Sequence, residues 1–236
     1  MARGVQTKYR YFKMISQEKL ISAYSKERIK AYKISANNMT NLANYYWDIE
    51  LSEAFYPVLR TVEVVLRNKL WLAISMKTNN KNWLSLKSVL CSQEQEMIIN
   101  LQSKLKINNA RWQDTDHLVS ELSFGFWVNL LNKRYEQILW PHLLKIVFPN
   151  IARKNCTRKF IHSRFKAIRD LRNRIFHHQR IYHFPNLKSQ HQSLLEAIGW
   201  LEPMLLEHLK IIDRFEQIYE KDRSFIRQRL QDLESR

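Results

Sequence analysis

An all-α protein is what this sequence predicts, and three observations predict it. Only 3 glycines and 5 prolines interrupt 236 residues, too little punctuation for a turn-rich β fold. Apolar side chains recur at helical spacing over most of the chain. Apolar residues make up 45% and aromatics 12%, enough for a hydrophobic core and too much for a disordered chain.

Taken in order, the first helix is expected over 16–34, with Ser16 as its cap and Leu20, Ile21 and Tyr24 on one face. Asn37, Asn38 and Asn41 mark a junction. From Met39 to Ile74 the pattern is strongly helical (Leu42, Tyr45, Tyr46, Ile49, then Leu59, Val62, Val65, Leu66, Leu70). Pro57 predicts either two helices there or one kinked helix. Residues 78–82 are a loop, and 93–107 form an amphipathic helix bearing Met97, Ile98, Leu101 and Leu105. After Asn108 and Asn109, Asp116 to Leu131 reads as one helix that Asp114 or Thr115 can cap. Trp140-Pro141 starts a short helix and Phe148-Pro149-Asn150 ends it. A basic helix over 155–178, capped by Thr157, runs up to the break at 182–186. Two further helices are expected over 189–200 and 203–233, the second with a solvated face at Glu220, Lys221, Asp222 and Arg223. Trp127, Trp140 and Tyr135 fall at core spacing. The organisation is a basic segment and first helix over 1–35, a helical core over 36–186, and C-terminal helices over 187–236 packed on it as one compact domain.

The net charge of +17 is concentrated in two blocks. Residues 1–35 carry +7 and residues 153–180 carry +9, whereas 36–152 carry +2 and 181–236 carry −1. Such blocks attract polyanions. Neither block is paired with a wide lipid-seeking face, so nucleic acid is favoured over a membrane surface. In the first block Tyr9, Tyr11 and Phe12 lie among Lys8, Arg10 and Lys13, which suits either base stacking or a plain basic arm. Cys91 and Cys156 have no metal or disulfide spacing, and no segment reads as a secretion signal or membrane span. A cytoplasmic location fits.

The second block contains Arg172-Asn173-Arg174-Ile175-Phe176-His177-His178. Histidine is the side-chain type suited to proton transfer near neutrality, and a guanidinium five residues upstream suits a phosphate whose bond is being cut. On a helix turning about 100° per residue, Arg172 falls within the apolar stripe Ile161, Phe165, Ile168, Leu171 and Ile175. A charge there must be paired, for instance with Glu63, one of few acids in the apolar helix before it, or must face an anion. His177 shares a face with Asn173, about 140° from Arg172. Either the helix unwinds near Phe176 or a second copy of the chain completes the site. His178 is expected to point inward as a packed, hydrogen-bonded histidine. His177, His178 and His183 invite a metal reading, but no cysteine or carboxylate lies nearby to complete a site, so no metal or cofactor is expected.

The segments 51–56 (Leu-Ser-Glu-Ala-Phe-Tyr) and 63–68 (Glu-Val-Val-Leu-Arg-Asn), then Phe124-Gly125-Phe126-Trp127-Val128, then 171–178, resemble in that order the Abi-like (abortive infection) proteins of bacteria. That family is placed among the HEPN domains (higher eukaryotes and prokaryotes nucleotide-binding), and the resemblance covers roughly residues 20–185. It implies a HEPN-like helical bundle with additional N- and C-terminal helices, metal-independent endoribonuclease chemistry, and a homodimer whose motifs form one composite cleft. It implies Arg172 and His177 as the catalytic pair and Asn173 as the supporting polar residue. Arg164, Lys166, Arg169, Arg174 and Arg180 would bind RNA, and Glu63, Arg67, Asn68 and His178 would support the site. Where the family often continues His-His-Glu-Pro, this chain has His177-His178-Gln179-Arg180, and Phe176 stands where a small residue is common. A bacterial toxin or phage-defence role is implied, with an antitoxin or a phage-derived trigger as partner. Two other functions fit the residues: a non-catalytic RNA-binding module, and an all-α structural partner of another protein.

Overall fold

Residues 17–32, 38–105 and 112–234 are described by a computed structural model, and all of their regular structure is helical. The expectations placed on Ser16, on Asn37, on Asn108 and Asn109, and on the arm around Tyr9, Tyr11 and Phe12 lie outside these residues.

Eleven α-helices occur among the described residues. The expected first helix is two: α1 (Gln17–Ala23) and α2 (Lys26–Lys30). Ser25 divides them by adopting φ 70° and accepting the Arg28 N–H on its hydroxyl (3.2 Å), as a cap and not a helix interior. Pro57 does not end the helix. Helix α3 (Asn38–Thr78) runs through it for 41 residues. Helix α4 (Ser92–Leu105) matches the expected amphipathic element.

The helix expected over 116–131 is again two, α5 (Trp112–Glu121) and α6 (Phe124–Asn129). Ser123 caps α6 by accepting the Phe126 N–H (3.3 Å), and positions 114 and 115 lie inside α5. Helix α7 (Trp140–Val147) starts at its proline, as expected. Helix α8 (Arg158–Phe176) is the basic helix, shorter than expected at its C-terminal end. Helix α9 (Leu187–Leu201) follows, and the last expected helix is also two, α10 (Met204–Leu209) and α11 (Phe215–Glu234). Within α11 Asp222 leaves helical geometry (φ 54°).

The chain packs as two compact units. Unit A takes the described parts of Met1–Tyr56 with His177–Leu187 and Arg214–Arg236; unit B takes Pro57–Phe176 and Lys188–Asp213. The core of unit A is rich in tyrosine: Ile21, Ile29, Tyr32, Leu42 and Tyr45 are buried, and Tyr24, Tyr46, Tyr182 and Leu230 pack on them. Tyr32 and Tyr182 stack with ring centroids 5.4 Å apart.

Unit B buries Trp83, Trp127, Trp140, Tyr135, Phe124, Phe126, Phe148 and Phe165. The tryptophans and tyrosine assigned to the core are therefore there. A buried carboxylate ties this core together. Glu94 accepts the Tyr135 hydroxyl (2.6 Å) and the Asn129 amide (3.3 Å) and pairs with Arg134. Burial and that carboxylate hold the Tyr135 hydroxyl in its protonated form. Cys91 and Cys156 are half-buried free thiols. Among the described residues no helix is long and apolar enough to cross a membrane.

Candidate functional site

Helix α8 begins where its cap dictates: the Thr157 hydroxyl accepts the Phe160 N–H (3.2 Å). Its buried side is the expected stripe of Ile161, Phe165, Ile168, Leu171 and Ile175. Arg172, placed within that stripe by the helical period, meets an acid, an aromatic ring and an amide of unit B. Its Nε lies 3.4 Å from Glu63 Oε2 on α3, without hydrogen-bond geometry, so the attraction is Coulombic. Its guanidinium carbon stands 4.2 Å from the centre of the Phe176 ring, and Nη1 donates to Asn173 Oδ1 (3.4 Å). The guanidinium thus has an acid and an aromatic ring as close neighbours. Both members of the ion pair keep about a quarter of their side-chain surface in solvent (27% and 28%).

The helix stops at Phe176, and this changes the reading of both histidines. His177 lies past the last helical turn and is exposed, so its helical angle no longer applies. His178 takes the left-handed conformation (φ 54°) that ends helices, and its side chain is exposed. The expectation of an inward, packed His178 is therefore corrected: the backbone leaves the helical path before the period can turn that side chain toward the core. His183 is exposed too, and no cluster of metal-ligating side chains occurs among the described residues.

Within unit A the segment after the motif is held by Asp48 and Arg28, which the sequence did not single out, and by Arg180, which it assigned to RNA. Buried Asp48 accepts the N–H groups of Ile181 and Tyr182 on one oxygen (2.8 Å each) and the Tyr32 hydroxyl on the other (2.9 Å). Arg28 Nη2 donates to the His178 carbonyl (3.0 Å), and the Arg180 guanidinium donates to the Ala31 carbonyl. Asp48 was legible in principle, because an acid between Trp47 and Ile49 in an apolar helix calls for a buried partner.

No family model, no curated protein and no solved structure matches the chain. The chemistry of the site therefore rests on its own residues.

The basic side chains assigned to RNA separate into distinct environments. Arg164 is committed inside unit B: Nη1 meets Glu196 (2.8 Å) and the Ser193 carbonyl (3.1 Å), and the guanidinium lies over Trp200. Arg174 is half-buried. Arg169 pairs with its exposed neighbour Asp170 (3.2 Å), and its stem runs beside Gly125, where an added Cβ would stand 3.9 Å from Cδ. Lys166 is exposed. On α3, Arg67 donates to Asn68 (3.2 Å) at the surface. The sequence reading missed His162, half-buried on α8. Burial, then the charges of Arg158, Arg169 and Lys166, push its imidazole below the usual histidine value. Spacing four residues before Lys166 was the available signal.

Proposed function

We propose that this chain is a metal-independent endoribonuclease of the Abi-like, HEPN type, acting as a toxin or abortive-infection effector in the bacterial cytoplasm. One observation carries the reading: α8 ends at Phe176, so His177 of the Arg-Asn-x-x-x-His motif is exposed directly after the most basic helix, whose last turns hold an oriented Arg172 and Asn173. In the reaction an RNA 2′-hydroxyl oxygen bonds to the adjacent phosphorus and the bond to the 5′-oxygen breaks. The products are a 2′,3′-cyclic phosphate and a 5′-hydroxyl. The proton leaving the 2′-oxygen balances the one gained by the 5′-oxygen, and His177 is the residue suited to move it. Arg172 would offset the charge that develops on the phosphorane, with Asn173 in support. DNA lacks the attacking hydroxyl, so RNA selectivity needs no base-reading element. The reading includes a homodimer whose two motifs complete one another's site.

The engagement of Arg172 by Glu63 and Phe176 favours a second reading, a non-catalytic RNA-binding module in which that arginine is structural. A cleavage assay in EDTA separates the two, with wild type and His177→Ala on total RNA and on a matched DNA strand. Cleavage of RNA alone, lost in His177→Ala, is the expected result. Cleavage retained by a clean preparation of the variant would sink the assignment of His177. RNA bound without product by either protein would favour the binding module.

A further inference from the structure

Four side chains of α8 lie along one flank of the helix: Lys159, His162, Lys166 and Arg169, at steps of three or four residues, with Asn173 next in the series. This flank is separate from the buried stripe and from the side on which Arg164 meets Glu196. We propose that this flank is the path that holds the phosphates of single-stranded RNA leading to Asn173. The proposal rests on the reading of the chain as an RNA-acting protein, though not on cleavage.

Successive members stand about 5 Å apart along the helix axis, a spacing that one extended strand can follow with a phosphate at each step or two. Lys159 and Lys166 are exposed and His162 and Arg169 half-buried, so the flank combines free ammonium groups with two fixed donors. Acids touch it only at its margins. Glu136 is committed to the buried Arg158 (3.2 Å), which also donates to the Leu131 carbonyl. Asp170 pairs with Arg169 through an oxygen on a side chain 55% exposed, the kind of surface pair that contributes little and that a phosphate can replace. The depressed His162 imidazole reports the same field, because three of the causes that push it down are cations of this helix. The Arg169 stem passes beside Gly125, where an added Cβ would be in ordinary contact with it. A membrane headgroup layer is the other polyanion. It would need exposed apolar side chains to anchor beside the cations, and the flank from Lys159 to Asn173 carries none.

The test uses fluorescence anisotropy with a short labelled single-stranded RNA, titrated over a range of salt, in the His177→Ala protein so that the probe survives. Replacing Lys166 and Arg169 together by glutamine should weaken binding and flatten the log–log salt slope by about 1.4, or 0.7 per lost contact. The loss should be the same across RNA sequences, as for phosphate contacts. Lys159→Gln with Lys166→Gln should act alike and, both side chains being exposed, should leave the melting temperature unchanged. Lys210→Gln removes a charge from an exposed pair with Glu207 (2.7 Å) elsewhere in unit B and should leave binding as in the parent. Undiminished RNA affinity in both double variants overturns the proposal while leaving RNA action intact. Absence of RNA binding by the parent at low salt overturns the proposal and the RNA reading together. Flank-dependent binding in this background, with no RNA cleavage by the wild type in the EDTA assay, would overturn the nuclease reading alone.

Discussion

Asp48 shows how much one side chain can organise. Its two oxygens satisfy two backbone N–H groups and a tyrosine hydroxyl, all within unit A and away from water. Truncation to alanine strands those donors, and Asp48→Ala is expected to cost about 2–4 kcal/mol in urea denaturation. Asp48→Asn keeps an oxygen for the two amides and should cost markedly less. Amide exchange at Ile181 and Tyr182 should quicken in the alanine variant before that of other unit A amides. His178 gives the opposite sign. A left-handed conformation strains any side chain with a Cβ, so His178→Gly should raise stability by about 0.5–1 kcal/mol once the extra freedom of the unfolded glycine is subtracted. The sequence placed Arg172 and its partner Glu63 correctly because both follow from the helical period and the scarcity of acids nearby. It misplaced His178 because the end of α8 is set by residues 150 positions away, such as Arg28 on the His178 carbonyl.

At the scale of elements, the helical pattern was legible and the breaks were not. Pro57 removes a backbone donor, a cost of about 3 kcal/mol inside a helix. Yet Leu51, Ala54, Phe55, Val58, Leu59 and Val62 are all buried around it. Each large apolar side chain among them contributes about 1.5–3 kcal/mol, so packing wins and α3 runs on. The reverse happens at Ser25 and Ser123, where a hydroxyl takes over a backbone N–H and begins a new helix. Ser123→Ala should cost about 1 kcal/mol in thermal or chemical unfolding, with Ser123→Asp restoring most of it. The gap between α10 and α11 carries no glycine or proline to announce it. There Asp213 pairs with His191 (3.0 Å), a contact 22 residues apart in sequence that periodicity cannot register.

For the molecule as a whole, charge sets how stability responds to pH. His162 is held below its ordinary value when folded, so the unfolded chain takes up that proton first as pH falls. Its contribution to stability is therefore intact well above the usual histidine value and is lost as pH drops below about 6.5. The difference in melting temperature between His162→Gln and wild type should shift in favour of the variant on moving from neutral to mildly acidic buffer. An unchanged difference would place His162 outside the cationic field of α8. The +17 net charge was legible from composition, as was its concentration in the stretch that becomes α8. The division into two units was not, because unit A is assembled from three separated stretches of chain. That assembly has a consequence for the newborn protein. The segment that begins at His177 belongs to the same unit as α11, whose Phe215 and Ile226 are buried. The unit cannot finish packing until 215–234 have left the ribosome.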